Sequence, residues 1–285
     1  MGRPGLTDPV LEWGGPRLRD LPWRRTRDPW AVLVSEVMLQ QTQVSRVVPK
    51  WHAFLDAFPD PPACAAAPLG DVLRLWHGLG YPRRARNLHI AAMRITEAGS
   101  FPDTLVGLLA LPGVGPYTAR AVLAFAYEVD VAVVDTNIAR VLARVEGRRL
   151  SPREVQQLAD AAVPPGEGWV WNQTLMDLGA TICRPGIPDC PACPVVTTCA
   201  WARTGPDPSI GSAGVSTPQS RFVGSDRQAR GALMRALTAG PVPLDGVAGV
   251  MRRAPDVAAR LLGALCSEGL VTVDGQEVGL PEGSA

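Results

Sequence analysis

The chain of 285 residues is almost without lysine: Lys50 is the single one in a Lys and Arg total of 28. Chemistry that runs through a side-chain amine therefore has one candidate. Long apolar runs are missing as well. No stretch approaches the roughly 20 apolar residues that cross a bilayer, and the N-terminal segment, with Arg3, Asp8 and Glu12, lacks the apolar centre of a signal peptide. These absences imply a soluble, cytoplasmic protein with no membrane partner. Neither sign of charge is in excess: the formal net charge is +1. A polyanionic partner would thus have to be met by local arginine clusters. The length suffices to bury a sizeable core, as one large domain or two modest ones.

Six cysteines are present, and four of them, Cys183, Cys190, Cys193 and Cys199, crowd into one short segment with spacing C-x6-C-x2-C-x5-C. In a cytoplasmic chain this reads as a metal or cluster site before it reads as disulfides. Four soft thiolates hold either zinc or an iron-sulfur cluster, and spacing alone does not choose between them. Cys64 and Cys266 lie far from that group and read as small core hydrophobes.

Apolar residues recur at helical spacing from residue 10 to 200, punctuated by Pro and Gly, so the main body reads as mostly α-helical. Asp28 and Pro29 form an N-cap and first turn for a helix through AVLVSEVMLQQTQVSRVV, with Val34, Met38 and Val44 inward, until Pro49 interrupts it. Further helices are expected over Asp71 to Trp76, over Arg83 to Ala98, and after the turn at Gly113 to Gly115. Residues 204–225, rich in Gly, Pro, Ser and Thr, read as a linker. Residues 226–285 follow with helices over Asp226 to Leu237 and Pro255 to Glu268. A hairpin turning at Asp274 and Gly275 completes a winged-helix-like pattern.

In LPGVGPYTARAVLAF, Gly113 and Gly115 permit a tight turn that points backbone N–H groups from the start of the next helix, a geometry suited to a phosphate. An ordinary helix-to-helix turn has the same spacing. The run resembles the helix-hairpin-helix of the DNA-repair glycosylase superfamily. The cysteine spacing, coming after NQTLMDLGATIC, resembles the 4Fe-4S loop of the endonuclease III and adenine DNA glycosylase branch. LPWR (Leu21 to Arg24) before SEVMLQQTQV (Ser35 to Val44) is similar to the adenine DNA glycosylases in particular.

The resemblance implies a two-lobed fold: a six-helix barrel over 29–130 with the hairpin at 111–120, and a [4Fe-4S] domain from 1–28 and 131–203. It implies that Cys183, Cys190, Cys193 and Cys199 hold the cluster. The partner it implies is double-stranded DNA containing adenine mispaired with 8-oxoguanine or guanine, bound by a nucleoid-associated monomer. Endonuclease III-like enzymes, which cut the strand, carry a lysine two residues after the second hairpin glycine. Tyr117 stands there instead, which implies monofunctional hydrolysis of the N-glycosidic bond.

Glu36 sits inside an apolar helix, where burial raises a carboxyl pKa and suits it to protonate a ring nitrogen of the leaving adenine; without the surrounding motif it reads as a surface glutamate. Asp135 is expected to stay ionised and stabilise the oxocarbenium-like sugar, and it also reads as an N-cap for the helix starting near Asn137. Asp135-Thr136-Asn137 stands where the branch usually has aspartate-glycine-asparagine. By resemblance Tyr117 lines the pocket, Arg24, Trp23 and Gln173 bind the flipped adenine, Gln41 and Tyr81, with Leu79 nearby, wedge into the stack around the opposite guanine, and Thr42 is a further DNA-binding residue. Gly113, Gly115 and Asn137 contact the DNA backbone. Pro82 stands where the family has a second tyrosine. Well-known members end in a larger domain that reads the damaged guanine, for which residues 226–285 leave no room. The arginines of this tail, Arg227, Arg230, Arg235, Arg252 and Arg253, read equally as DNA contacts or as plain surface residues. A thymine or uracil mismatch glycosylase and a non-catalytic lesion-binding module are the alternative readings.

Overall fold

The computed structural model describes residues 5–215 and 221–282. The middle of the expected linker, 216–220, and the chain ends 1–4 and 283–285, which belong to the expected first and last domains, lie outside the described residues. The described backbone is mostly helical. In chain order its helices are α1 (Thr7–Gly14), α2 (Pro29–Leu39), α3 (Val44–Ala57), α4 (Pro61–Ala66), α5 (Leu69–Trp76), α6 (Arg83–Ala98), α7 (Leu105–Leu109), α8 (Pro116–Ala126), α9 (Thr136–Glu146), α10 (Pro152–Ala162), α11 (Gly168–Thr181), α12 (Asp226–Leu237), α13 (Val247–Met251) and α14 (Pro255–Ser267). Three short strands, β1 (Val242–Pro243), β2 (Thr272–Asp274) and β3 (Glu277–Gly279), form an antiparallel sheet in the order β1-β3-β2. No helix among the described residues is long and apolar enough to cross a membrane.

The chain divides into two compact units. The first comprises residues up to Val32, Asp103–Leu109 and Val114–Pro218. Its core forms where α9 and α11 pack together with α1 and α10, burying Val10, Ile138, Leu142, Val155, Trp171 and Leu178. α9 and α11 approach so closely at Gly179 that a Cβ there would lie 2.6 Å from the Asn137 Cβ. Past Thr204, the Gly- and Pro-rich chain still folds onto this unit: Ala213 N–H donates to the Leu150 carbonyl (2.9 Å), and Leu150 N–H donates to Ser212 Oγ (3.1 Å).

The second unit comprises Leu33–Pro102, Ala110–Gly113 and Gln219–Ala285. Here α3, α5 and α6 pack around Phe54 and Trp76, whose rings meet edge to face at 6.2 Å. Burying an aromatic of this size contributes on the order of 2–3 kcal/mol. The C-terminal helices and sheet belong to this same unit. Glu268, at the end of α14, accepts from Arg83 of α6 and Arg230 of α12, and Gly70 N–H donates to the Pro281 carbonyl at 2.9 Å.

Three local expectations need correction. The helix expected to run on to Pro49 is broken at Gln40–Gln43, with Gln41 in the left-handed region at φ 57. Pro49 interrupts nothing; it lies within α3, where burial of Val47, Trp51 and Phe54 offsets the roughly 3 kcal/mol cost of an internal proline. The C-terminal hairpin turns one residue later than expected, at Gly275 and Gln276, because Asp274 is already paired with Glu277.

Candidate functional site

Between α7 and α8 the chain turns at Gly113, whose φ of 78 no β-carbon-bearing residue adopts without strain and whose added Cβ would lie 2.9 Å from Asn87. Gly115 is different. Its backbone is ordinary and extended, and a Cβ there would meet nothing within 4 Å. Its missing side chain leaves the start of α8 without a side-chain cap, and Pro116 stands at the first helical position. Tyr117, the next residue, is half-buried.

Asp135 caps α9: its Oδ1 accepts from the Ile138 N–H (2.7 Å) and its Oδ2 from Asn137 Nδ2 (2.7 Å). Burial pushes the Asp135 carboxyl above the usual range, against these two hydrogen bonds and the charge of Arg140. Thr136, the first residue of α9, is not among the residues with positive φ, so this position does not need the glycine usual in similar chains. Buried Arg140 donates to Asn137 Oδ1 (2.8 Å), the Gly179 carbonyl (2.6 Å) and the Cys183 carbonyl (2.8 Å). It thereby ties Asn137, and through it Asp135, to the start of the cysteine loop.

Trp23 and Arg24 are buried in a short 3-10 turn, Pro22–Arg24. Arg24 grips Asp177 of α11 with both terminal nitrogens (2.7 and 2.9 Å), and Asp177 also accepts from the backbone and side chain of Arg19. Arg24 Nε is left buried with no hydrogen-bond partner. Gln173, one turn before Asp177 on α11, is also buried. Burial alone would raise Asp177, but the bonds from Arg24 and Arg19 reverse this and hold it below the usual carboxylate range. Stability from this pair is therefore present above the unfolded value of about 3.9 and lost as pH falls through the lower folded one. Asp177→Asn leaves Arg24 a buried cation without its counter-charge. We expect it to cost about 3 kcal/mol and to flatten the acid side of the stability curve, as chemical denaturation across pH will show.

In the second unit, Glu36 is 5% exposed in the middle of α2, flanked by buried Val34, Ser35, Val37 and Met38. Arg84 of α6 joins the two segments that follow in the expected wedge. Its Nη1 donates to the carbonyls of Val37 (2.7 Å) and Met38 (3.0 Å). Its Nη2 reaches Thr42 Oγ1 (3.1 Å) and the carbonyls of Leu79 (2.8 Å) and Gly80 (3.1 Å). Burial pulls this guanidinium down to about 10. The clamp holds two left-handed residues, Gln41 at φ 57 and Tyr81 at φ 47, each a conformation that costs about 1–2 kcal/mol. Leu79 is buried, Thr42 half-buried, and Gln41 and Tyr81 are exposed.

The four clustered cysteines, all in the first unit, line one open cavity, whose walls include Ile182, Pro188, Val196 and Trp201. N–H donors aim at three of the sulfurs: Arg144 Nη1 at Cys183 (3.3 Å), the Ala202 amide at Cys199 (3.4 Å) and the Val195 amide at Cys193. Donors of this kind stabilise thiolates bound to a cationic centre. Arg144 also donates to the carbonyls of Cys183 and Arg184, pairs with Asp207 and lies over the Trp201 ring at 4.7 Å. Among the described residues no three His, Cys, Asp or Glu side chains converge closely enough for a single metal ion. The donor set, sulfurs around a cavity with N–H groups behind them, fits a thiolate-bound cluster.

The first unit thus carries Trp23, Arg24, Gly115, Tyr117, Asp135, Asn137, Gln173 and the cysteines, and brings Asp135 and Asn137 into direct contact. The second carries Glu36, Gln41, Thr42, Leu79, Tyr81 and Gly113, and binds Thr42 to Leu79 directly, Oγ1 to carbonyl at 3.2 Å. Sequence reasoning missed Arg84, Arg140, Arg144 and Asp177, the residues that hold these groups. For the three arginines the one signal was the near-exclusive use of arginine, whose several fixed donors span more than one partner where a lysine ammonium does not; Asp177 had none.

Residues 34–165 match the family model described as "HhH-GPD superfamily base excision DNA repair protein". The adenine DNA glycosylase of Mycolicibacterium smegmatis is 41% identical over 278 residues, which span 94% of this chain and 93% of that protein. Among solved structures, a thermostable thymine-DNA glycosylase superposes with a TM-score of 0.66 at 30% identity, over 69% of this chain and 94% of that one. A non-covalent complex of endonuclease III with DNA gives 0.60 at 25% identity, over 68% and 92%.

Proposed function

The chain belongs to the HhH-GPD superfamily of base excision DNA repair proteins, and within it to the adenine DNA glycosylases; on that premise we propose that it hydrolyses the N-glycosidic bond of adenine mispaired with 8-oxoguanine or guanine in duplex DNA, leaving the strand intact. The observation that carries this reading is Glu36, a carboxyl 5% exposed on α2, whose other residues apart from Ser35 are apolar. A carboxyl in that position is suited to give a proton to a ring nitrogen of the flipped adenine and make the base a neutral leaving group. Asp135 supplies negative charge to the sugar cation, Tyr117 positions the attacking water, and that water completes the hydrolysis. Trp23, Gln173 and the remaining Nε–H of Arg24 are assigned to the adenine.

Gln41, Thr42, Leu79 and Tyr81 are assigned to the gap and the opposite base. Gly113, Gly115, the start of α8 and Asn137 are assigned to the phosphates. Cys183, Cys190, Cys193 and Cys199 would hold a [4Fe-4S] cluster, which when bound supplies four bonds that order the loop in place of a local core. The compartment this work requires is the cytoplasm at the nucleoid, and the working form is a monomer.

The structural likeness to a thymine-DNA glycosylase favours a second reading, removal of thymine opposite guanine. The 41% identity to an adenine enzyme over nearly the whole chain outweighs it. Monofunctional action is tested by borohydride trapping on a duplex with adenine opposite 8-oxoguanine. Lys50 Nζ is engaged with the Leu75 carbonyl at 3.1 Å, and Tyr117 occupies the hairpin position, so no covalent adduct is expected and strand breaks appear only after alkali. An adduct would show a Schiff-base lyase. A further expectation concerns Asp135→Asn: asparagine caps a helix as well as aspartate and removes a carboxylate that burial disfavours. The variant should melt at or above the wild-type temperature while adenine release falls by roughly 10²-fold.

A further inference from the structure

Of the tail arginines, Arg230 is spent on Glu268, and Arg253 donates to the Gly224 and Ser225 carbonyls at 2.7 and 2.8 Å. Arg227 does something else. From the first turn of α12 its Nη1 donates to the Tyr81 hydroxyl at 3.0 Å, and its guanidinium lies 5.2 Å from the ring centre of Phe222. On the other side of Tyr81, Arg84 sits 5.6 Å from that ring. Arg84, Tyr81, Arg227 and Phe222 thus alternate cation and aromatic within one unit. Phe222 is 51% exposed and Val223 66%.

This exposure is held in place. Ser225 caps α12 through the Gln228 N–H, Gly224 N–H donates to Gln228 Oε1 at 2.7 Å, and Arg253 grips the carbonyls behind the loop. An exposed aromatic on a braced loop beside a guanidinium is the arrangement that stacks an unpaired base and takes its phosphate. The apolar surface also continues a face already assigned to DNA, since it begins at Tyr81.

We propose that Phe222 and Arg227 extend the Tyr81 wedge into a second platform for the strand opposite the excised adenine, Phe222 stacking a base of that strand and Arg227 holding both the Tyr81 ring and a flanking phosphate. The proposal rests on the reading of Tyr81 as a DNA wedge. It gives the C-terminal segment a task on the strand that carries the damaged purine.

The test uses the full-length holoprotein and a duplex with an abasic analogue opposite 8-oxoguanine, with 2-aminopurine beside the 8-oxoguanine. Phe222→Ala should weaken binding about tenfold, the loss of one stacked base, and relieve the quenching of 2-aminopurine fluorescence; Phe222→Trp should restore both. Arg227→Ala should lower the slope of log affinity against log salt by about 1, while Phe222→Ala leaves the slope unchanged. Thermal melting checks the fold of each variant. If wild-type releases adenine yet Phe222→Ala binds as tightly and quenches as fully as wild-type, the platform is wrong and the proposed function stands. If wild-type releases no adenine from any mispair, the proposed function fails first, and the platform falls with it.

Discussion

Glu36→Gln should bind adenine-containing duplexes about as well as wild-type and release adenine 10²- to 10⁴-fold more slowly, the range a positioned general acid supplies. The side chain is 5% exposed on α2, and the amide keeps its size, so the exchange opens no cavity and buries no new charge. Adenine is a poor leaving group until a ring nitrogen is protonated, and the amide has no acidic proton to give. Single-turnover rates measured at saturating enzyme separate chemistry from binding. A loss of less than about tenfold would place the acid elsewhere.

The second large effect is expected at Arg144. It is 1% exposed, and it joins a cysteine sulfur, two loop carbonyls, Asp207 and the Trp201 ring. Arg144→Met keeps the apolar stem but removes the donor to Cys183 and leaves Asp207 without its cation. Breaking such a pair costs about 3–5 kcal/mol, which in a unit of this size lowers the melting temperature by roughly 10 °C or more. The purified variant should carry less iron and sulfide per chain and show faster proteolysis within the cysteine loop. Arg144→Lys, which keeps the charge but not the fork, should recover the pairing with Asp207 and little of the rest. Full iron content in Arg144→Met would show that the thiols need no support from this side.

The same comparison of Arg and Lys explains what the sequence could and could not reveal. The bounds of α6 were legible because Arg83 follows Pro82 and Gly99 stops the helix at φ 72. The N-cap role of Asp135 was legible for similar local reasons. The break at Gln40–Gln43 was not, because QQTQ contains no turn-forming glycine or proline; Arg84, far along the chain, bonds Met38 and Thr42 on either side of the strained Gln41. Arg140 and Arg144 also reach carbonyl oxygens of distant segments, and a carbonyl leaves no mark in a sequence. The expected chemical residues were thus visible as residue types in motifs, whereas the groups that hold them depend on tertiary contacts. Arg227 shows the same limit: five tail arginines looked alike until two were found engaged within the C-terminal segment and one on Tyr81.

The central claim is that adenine is the base removed, and it is met most directly by identifying the free base. The holoprotein is incubated in single turnover with duplexes carrying adenine opposite 8-oxoguanine, adenine opposite guanine, adenine opposite thymine and thymine opposite guanine, and the released base is separated by chromatography. The account predicts free adenine from the first two duplexes and none from the other two. Free thymine from the last duplex, with no adenine from the first two, would contradict it and make the chain a thymine mismatch glycosylase.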